Sequence, residues 1–151
     1  MMALCVRYAK NSEDALEVLN DGFLKVFRNI GSYQPEKASF YTWIRTIIIH
    51  TAIDFLRKQQ GHPETREPGD GIEEPSIDNE ALTRLSGEEM LKMIRQLPAA
   101  TGTVFNLYAV DGFTHREIGT LLGISEGTSR WHLSEARKQL KTLIYLMKSN
   151  P

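Results

Sequence analysis

The stretch THREIGTLLGISEGTSRWHLSEARKQL, Thr114 to Leu140, decides how the chain is read. Thr114 and Glu117 stand at capping-box spacing ahead of an apolar Ile118, Leu121, Leu122 stripe, so each can satisfy a backbone N–H that the opening turn leaves without a partner. Gly123 then closes this short helix, because a glycine adopts the left-handed conformation of a helix C-terminus without a Cβ penalty. Ser125 caps a second helix, expected to reach about Met147. With Leu133, Ala136 and Leu140 as its buried side, a period of about 3.6 residues puts Gly127, Arg130, Trp131, Ser134, Glu135 and Lys138 on the other. Two helices joined by Gly123-Ile124-Ser125, the second polar on one side only, have the pattern of a helix-turn-helix, whose second helix enters the DNA major groove. There Arg130 can pair bidentately with guanine and Glu135 can accept from cytosine, while Arg137, Lys138 and Lys141 can reach phosphates. Ser125 and Thr128 complete the candidate set at the start of the helix. A plainer reading makes this the polar surface of a small bundle with Trp131 packed on a neighbour, but it leaves a large aromatic beside an arginine on a solvent face.

Working upstream, Ser86-Gly-Glu-Glu89 is another capping box, opening a helix through Met90, Leu91, Ile94 and Leu97. Pro98 ends it and can start the next, expected to run through Val104, Phe105, Tyr108 and Val110 to Asp111-Gly112. Residues 61 to 85, GHPETREPGDGIEEPSIDNEALTRL, hold three of the six prolines, no aromatic residue, and 7 Asp+Glu against 2 Lys+Arg, a net charge of -5. This composition reads as a flexible linker with an r.m.s. span of roughly 25 to 30 Å. The first block reads as helical: a short helix over Leu4 to Ala9, then one capped by Ser12 with Leu16, Leu19, Phe23, Phe27 and Ile30 as its apolar stripe, ending near Gly31. A polar loop, Ser32 to Lys37, leads to a helix from about Ser39 to Gln59, with Phe40, Trp43, Ile44, Ile47, Ile48, Thr51 and Phe55 along one side. The expected fold class is therefore all-α: two small helical domains, 1–60 and 86–151, joined by an acidic linker over 61–85, the second domain carrying the helix-turn-helix.

Composition narrows the function. The 151 residues are 41% hydrophobic and 25% charged, as in a soluble globular protein, and no apolar run approaches the roughly 20 residues of a membrane span. The net charge of -1 is unevenly spread: residues 1–60 carry 8 Lys+Arg and 6 Asp+Glu, residues 61–90 carry 2 and 9, and residues 91–151 carry 8 and 4. Two mildly basic blocks thus flank an acidic one, leaving room for a nucleic-acid surface on each. His50, His62, His115 and His132 have no metal-ligand spacing and Cys5 has no partner cysteine, so no catalytic, metal or cofactor site is expected and no small-molecule substrate. The start of the chain lacks the features of a signal peptide, and a lone Cys5 reads as a small buried hydrophobe in a reducing cytoplasm.

Two stretches of the first block, DALEVLNDGFLKVFRNI (Asp14 to Ile30) and FYTWIRTIIIHTAIDFLRK (Phe40 to Lys58), resemble region 2 of bacterial extracytoplasmic-function sigma factors of the sigma-70 family. Leu97 to Leu140 resembles their region 4. The order of the blocks, the acidic connector in place of region 3 and the terminal helix-turn-helix all agree, over about four fifths of the chain. The resemblance implies that the helix holding Asn20, Asp21, Phe23, Leu24 and Val26 docks on the coiled coil of the largest RNA polymerase subunit. It implies that Phe40, Tyr41, Arg45, His50, Asp54 and Arg57 form the surface that opens and reads the promoter -10 element, where aromatic stacking is worth roughly 1 to 3 kcal/mol per unstacked base. Trp43 reads as a core residue and Tyr41 as the contact. The family's arginine three residues after the tryptophan and its asparagine at seven are here Thr46 and His50, with Arg45 supplying the charge one position early. A further helical segment that the family places ahead of Leu4 to Ala9 has no counterpart, so the chain reads as starting inside region 2.1. The partners implied are core RNA polymerase, promoter DNA and an anti-sigma factor. Two functions stand at this point: an initiation factor that joins polymerase, binds the -35 element with region 4 and melts the -10 element with region 2, or a stand-alone helix-turn-helix regulator of duplex DNA.

Overall fold

The computed structural model describes residues 1–61 and 86–149, so the expected linker lies, apart from Gly61, outside the described residues. Among the described residues every regular element is helical. The chain separates into two compact units, residues 1–62 and 63–151.

The first unit packs three helices against one another: α1 (Met2–Tyr8), α2 (Ser12–Arg28) and α3 (Phe40–Gln60), with a short 3-10 turn at Ile30–Ser32. Asn11, rather than Ser12, caps α2: its side-chain oxygen accepts from the Asp14 N–H at 2.8 Å. Glu13 and Asp14 lie in the first turn and Lys25 and Arg28 in the last, each charge placed to suit the helix dipole. Ser39 caps α3 by accepting from Thr42 N–H, and Gly61 ends it with a positive φ of 72°.

The buried side of α2 differs from the expected stripe. Ala15, Val18, Gly22 and Val26 face the core, while Leu16, Leu24, Phe27 and Ile30 are about half exposed or more, Phe27 by 72%. The reason is close approach. Ile48 of α3 occupies the space beside Gly22, where an added Cβ would overlap the Ile48 Cδ1 atom. Two helices pressed this tightly need small residues between them, so the larger side chains are turned outward. On α3 the fully buried side chains are Ile48, Ile49, Ala52 and Ile53, each large aliphatic one contributing about 1.5 to 3 kcal/mol. Cys5 is wholly buried, and burial pushes its thiol above the ordinary range.

The second unit holds α4 (Gly87–Gln96), α5 (Ala99–Phe105), α6 (His115–Leu122) and α7 (Glu126–Ser149). Helices α5 and α6 pack on α7, and α4 packs on α5 and α7. Both expected capping boxes are present: Ser86 with Glu89 and Thr114 with Glu117, each hydroxyl accepting from the glutamate N–H while the carboxylate accepts from the cap N–H. Helix α5 is shorter than expected. After Phe105 the chain takes a π-helical turn, Asn106–Val110, closed by Asp111 N–H donating to the Asn106 carbonyl. The extra residue of a π turn shifts the helical phase, so Leu107 is buried and Tyr108 and Val110, expected on the apolar stripe, face outward.

Candidate nucleic-acid interface

The turn between α6 and α7 is set by two glycines. Gly123 has φ 70° and ψ 35°, the left-handed cap that the sequence calls for. Gly119, not singled out from the sequence, is the tighter constraint: a Cβ there would lie 2.7 Å from the Ile124 carbonyl oxygen. Ile124 is 8% exposed and fills the angle between the helices. Two polar contacts fix α7 against its neighbours. His115 of α6 meets Ser129 through Nδ1 and Oγ at 2.9 Å, with the Tyr108 ring stacked on the imidazole at 4.5 Å. His132 meets Thr101 of α5 through Nδ1 and Oγ1 at 3.1 Å.

Leu133, Ala136 and Leu140 are buried as expected, and Thr128, Ser129, His132 and Ser134 are buried with them. Arg130, Lys138 and Lys141 are exposed, Lys138 roughly opposite the buried side and Arg130 and Lys141 at its flank, Gly127, Trp131, Glu135 and Arg137 are half-buried, and Glu135 accepts from the Gln139 amide at 2.8 Å. Thr128 and Ser134, also in the expected set, are buried rather than exposed. Thr128 is 3% exposed and is tied to the Ser125 hydroxyl at the helix cap, and Ser134 is 5% exposed. Glu126, absent from the expected set, accepts from the Arg130 guanidinium at 3.2 Å. Its signal was i,i+4 spacing of opposite charges.

In the first unit the residues expected at the -10 element fall on two sides of α3. At about 100° per residue, Trp43, Thr46, His50, Asp54 and Arg57 share one stripe, whereas Tyr41 and Arg45 lie on the side that further along buries Ile48 and Ala52. Arg45 is therefore about 100° round the helix from Thr46 and does not replace an arginine at that position. Tyr41 is 65% exposed at the head of the helix, and Phe40 stacks on Trp43 with ring centroids 5.9 Å apart. Tyr33, missed from the sequence, completes this aromatic cluster edge-on to Phe40 at 5.1 Å and donates its hydroxyl to the Ala38 carbonyl. Asp54 pairs with Lys25 of α2 at 3.3 Å and with Arg57 at 3.7 Å, so its carboxylate joins two helices. Asn20 and Leu24 are exposed on α2 along the side that holds Leu16 and Phe27, Asp21 is exposed about 60° further round the helix from Leu24, and Phe23 is half-buried.

No three His, Cys, Asp or Glu side chains gather as a metal-ligand set among the described residues, and no described helix is long and apolar enough to cross a membrane.

Comparison with known proteins places these features in one class. The family model of Sigma-70 region 2 matches residues 1–62, and that of Sigma-70, region 4 matches residues 87–140. The chain is 28% identical over 145 residues to the ECF RNA polymerase sigma factor SigE of Mycolicibacterium smegmatis, covering 91% of this chain and 54% of the relative. It is 26% identical to the RNA polymerase sigma-H factor of Pseudomonas aeruginosa (93% and 78% covered) and 28% identical to the ECF RNA polymerase sigma-E factor of Escherichia coli (91% and 77%). It thus spans about half the length of the mycobacterial relative and over three quarters of the other two. The class is that of promoter-directing transcription initiation factors. The chain belongs to the sigma-70 family, with the region 2 and region 4 arrangement of its extracytoplasmic-function members.

Proposed function

We propose that this protein joins core RNA polymerase through the outer face of α2, binds the promoter -35 element with α7 and opens the -10 element with the head of α3. The observation that carries this reading is the inverted burial of α2. A helix in an isolated domain gains nothing by holding Leu16, Leu24 and Phe27 in water while the smaller Ala15, Val18, Gly22 and Val26 face the core. An apolar strip interrupted by Asn20 and edged by Asp21 matches the make-up of a protein interface, largely apolar with a polar rim. On α7, Arg130 carries base readout and Lys138 and Lys141 carry phosphate contacts, with Trp131 packing on a thymine methyl or a sugar edge. Tyr41 and the Phe40–Trp43 pair supply flat surfaces for unstacked bases, and His50 and Arg57 supply polar contacts. The resemblance adds an anti-sigma factor as a competing partner, and work on polymerase places the protein in the cytoplasm, with no catalytic role of its own.

Run-off transcription with core enzyme on a promoter library tests the proposal. Core enzyme plus this chain should initiate from a shared subset of promoters that core enzyme alone ignores. If the chain binds duplex DNA tightly and selectively alone, and core enzyme adds nothing, it is a stand-alone regulator.

A further inference from the structure

Three helices of the second unit begin with a hydroxyl cap followed by an acidic residue in the first turn, and only two of them use the carboxylate for capping. Glu89 and Glu117 occupy the third helical position, from which the side chain folds back to the cap N–H. In α7 that position is Thr128, which shares a hydrogen bond with Ser125 at 2.9 Å while its N–H donates to Ser125 Oγ at 3.0 Å. The acidic residue is displaced to the first position, Glu126, and its carboxylate meets Arg130 instead, at 3.2 Å.

That displacement has a consequence for DNA reading. Side chains on a helix lean toward its N-terminus, and in a helix-turn-helix the N-terminal residues of the second helix contact the base edges. Arg130 is therefore drawn toward the reading end of α7 with one guanidinium nitrogen already engaged. A carboxylate at the same end is also a negative charge facing phosphates, which lowers affinity for any sequence alike. We propose that Glu126 is a positioning residue: it holds the Arg130 fork for one base pair and, by opposing phosphates, suppresses binding to sequences that offer Arg130 no partner. This rests on the assignment of α7 to the -35 element.

The test uses holoenzyme assembled from the full chain and core RNA polymerase, presented with duplexes randomised over the -35 element, for the wild type, Glu126→Gln, Arg130→Ala and the double variant. Glu126→Gln keeps the size of the side chain and removes its charge. It should weaken preference at the base position that Arg130→Ala also weakens, by about 5-fold or more, within the range of a bidentate pair. Binding to a scrambled duplex should rise, and the salt dependence of log affinity should steepen by up to about 0.9 for the phosphate contact that repulsion had offset. In the Arg130→Ala background the same substitution should leave base preference unmoved. The inference is overturned if Glu126→Gln lowers affinity for selected and scrambled duplexes equally, as a structural defect would, or leaves base preference as it was. It is also overturned if the variant changes a different base position in both backgrounds, since Glu126 would then read a base itself. Should Arg130→Ala leave the selected sequence untouched, the assignment of α7 as the reading helix fails, and the inference with it.

Discussion

Helix α2 turns Leu16, Leu24 and Phe27 to solvent and keeps Ala15, Val18, Gly22 and Val26 inside, whereas α7 turns Arg130, Lys138 and Lys141 outward and buries Leu133, Ala136 and Leu140. Both are amphipathic helices packed on small bundles, yet their outer faces suit different partners. Apolar area gains free energy only against another apolar surface, so the face of α2 fits a protein. Cations gain by releasing counterions from phosphates, so the face of α7 fits a nucleic acid.

The largest effect that would sharpen this contrast is on base discrimination. Arg130→Ala should cost about 1 to 3 kcal/mol at the selected -35 sequence and relax preference at one or two positions. Lys141→Ala should weaken all sequences alike and lower the salt slope by about 0.9, since a phosphate contact carries no base information. Selections with both variants separate the roles, and a changed consensus for Lys141→Ala would move the reading face around the helix.

A smaller effect contrasts the two close approaches. At Gly119 an added Cβ meets a backbone carbonyl, which cannot move without opening the turn. Overpacking of this kind costs about 1 to 3 kcal/mol, against roughly 1 kcal/mol regained from helix propensity, so Gly119→Ala should be destabilising by up to about 2 kcal/mol. At Gly22 the obstacle is the rotatable tip of Ile48, so Gly22→Ala should come out near neutral. Urea unfolding of the full chain would show both; equal costs would mean that the two sites have similar freedom to relax.

How far the sequence discloses this arrangement also differs between the units. The second was legible because its helices are punctuated by chemistry at fixed offsets: Ser86 with Glu89, Thr114 with Glu117, then Gly123. The burial of Leu133, Ala136 and Leu140 followed from the period alone. In α2 the same argument picked the wrong side, because Leu16, Leu19, Phe23 and Phe27 obey the helical period as well as Ala15, Val18, Gly22 and Val26 do, and size favours the former. The small residues were the available signal, for a glycine in line with an alanine marks a helix pressed close to its neighbour. On α3 the -10 candidates were gathered by resemblance rather than by phase, and so Arg45 and Tyr41 were grouped with a stripe they do not share. Glu126 was passed over because a lone acidic residue in a first turn is fully explained by the helix dipole.

The smallest effect expected is on acid stability of the second unit. Hydrogen bonds from the cap residues, backbone N–H first and hydroxyl second, hold the Glu89 and Glu117 carboxyls below their ordinary value of 4.5. A depressed folded-state value means that the stabilisation is present above the ordinary value and is lost as pH falls through the folded one. Melting temperature should therefore drop more steeply with acid below about pH 4.5 in the wild type than in the Glu89→Gln, Glu117→Gln pair, whose amides still complete the boxes. Both groups are exposed, so the difference is small, and identical slopes would show that the boxes act by geometry alone.

The most direct test of the two-face account is comigration of the full chain with core RNA polymerase, comparing wild type, Phe27→Asp and Arg130→Ala. Phe27 is 72% exposed, so a carboxylate there should leave the melting temperature unchanged while placing a charge at the centre of an apolar contact. Losing an aromatic anchor of this kind costs about 2 kcal/mol or more, roughly a 30-fold fall in affinity. The account predicts that wild type and Arg130→Ala comigrate with core enzyme and that folded Phe27→Asp does not. Comigration of Phe27→Asp at wild-type strength, or its loss in Arg130→Ala instead, would contradict it.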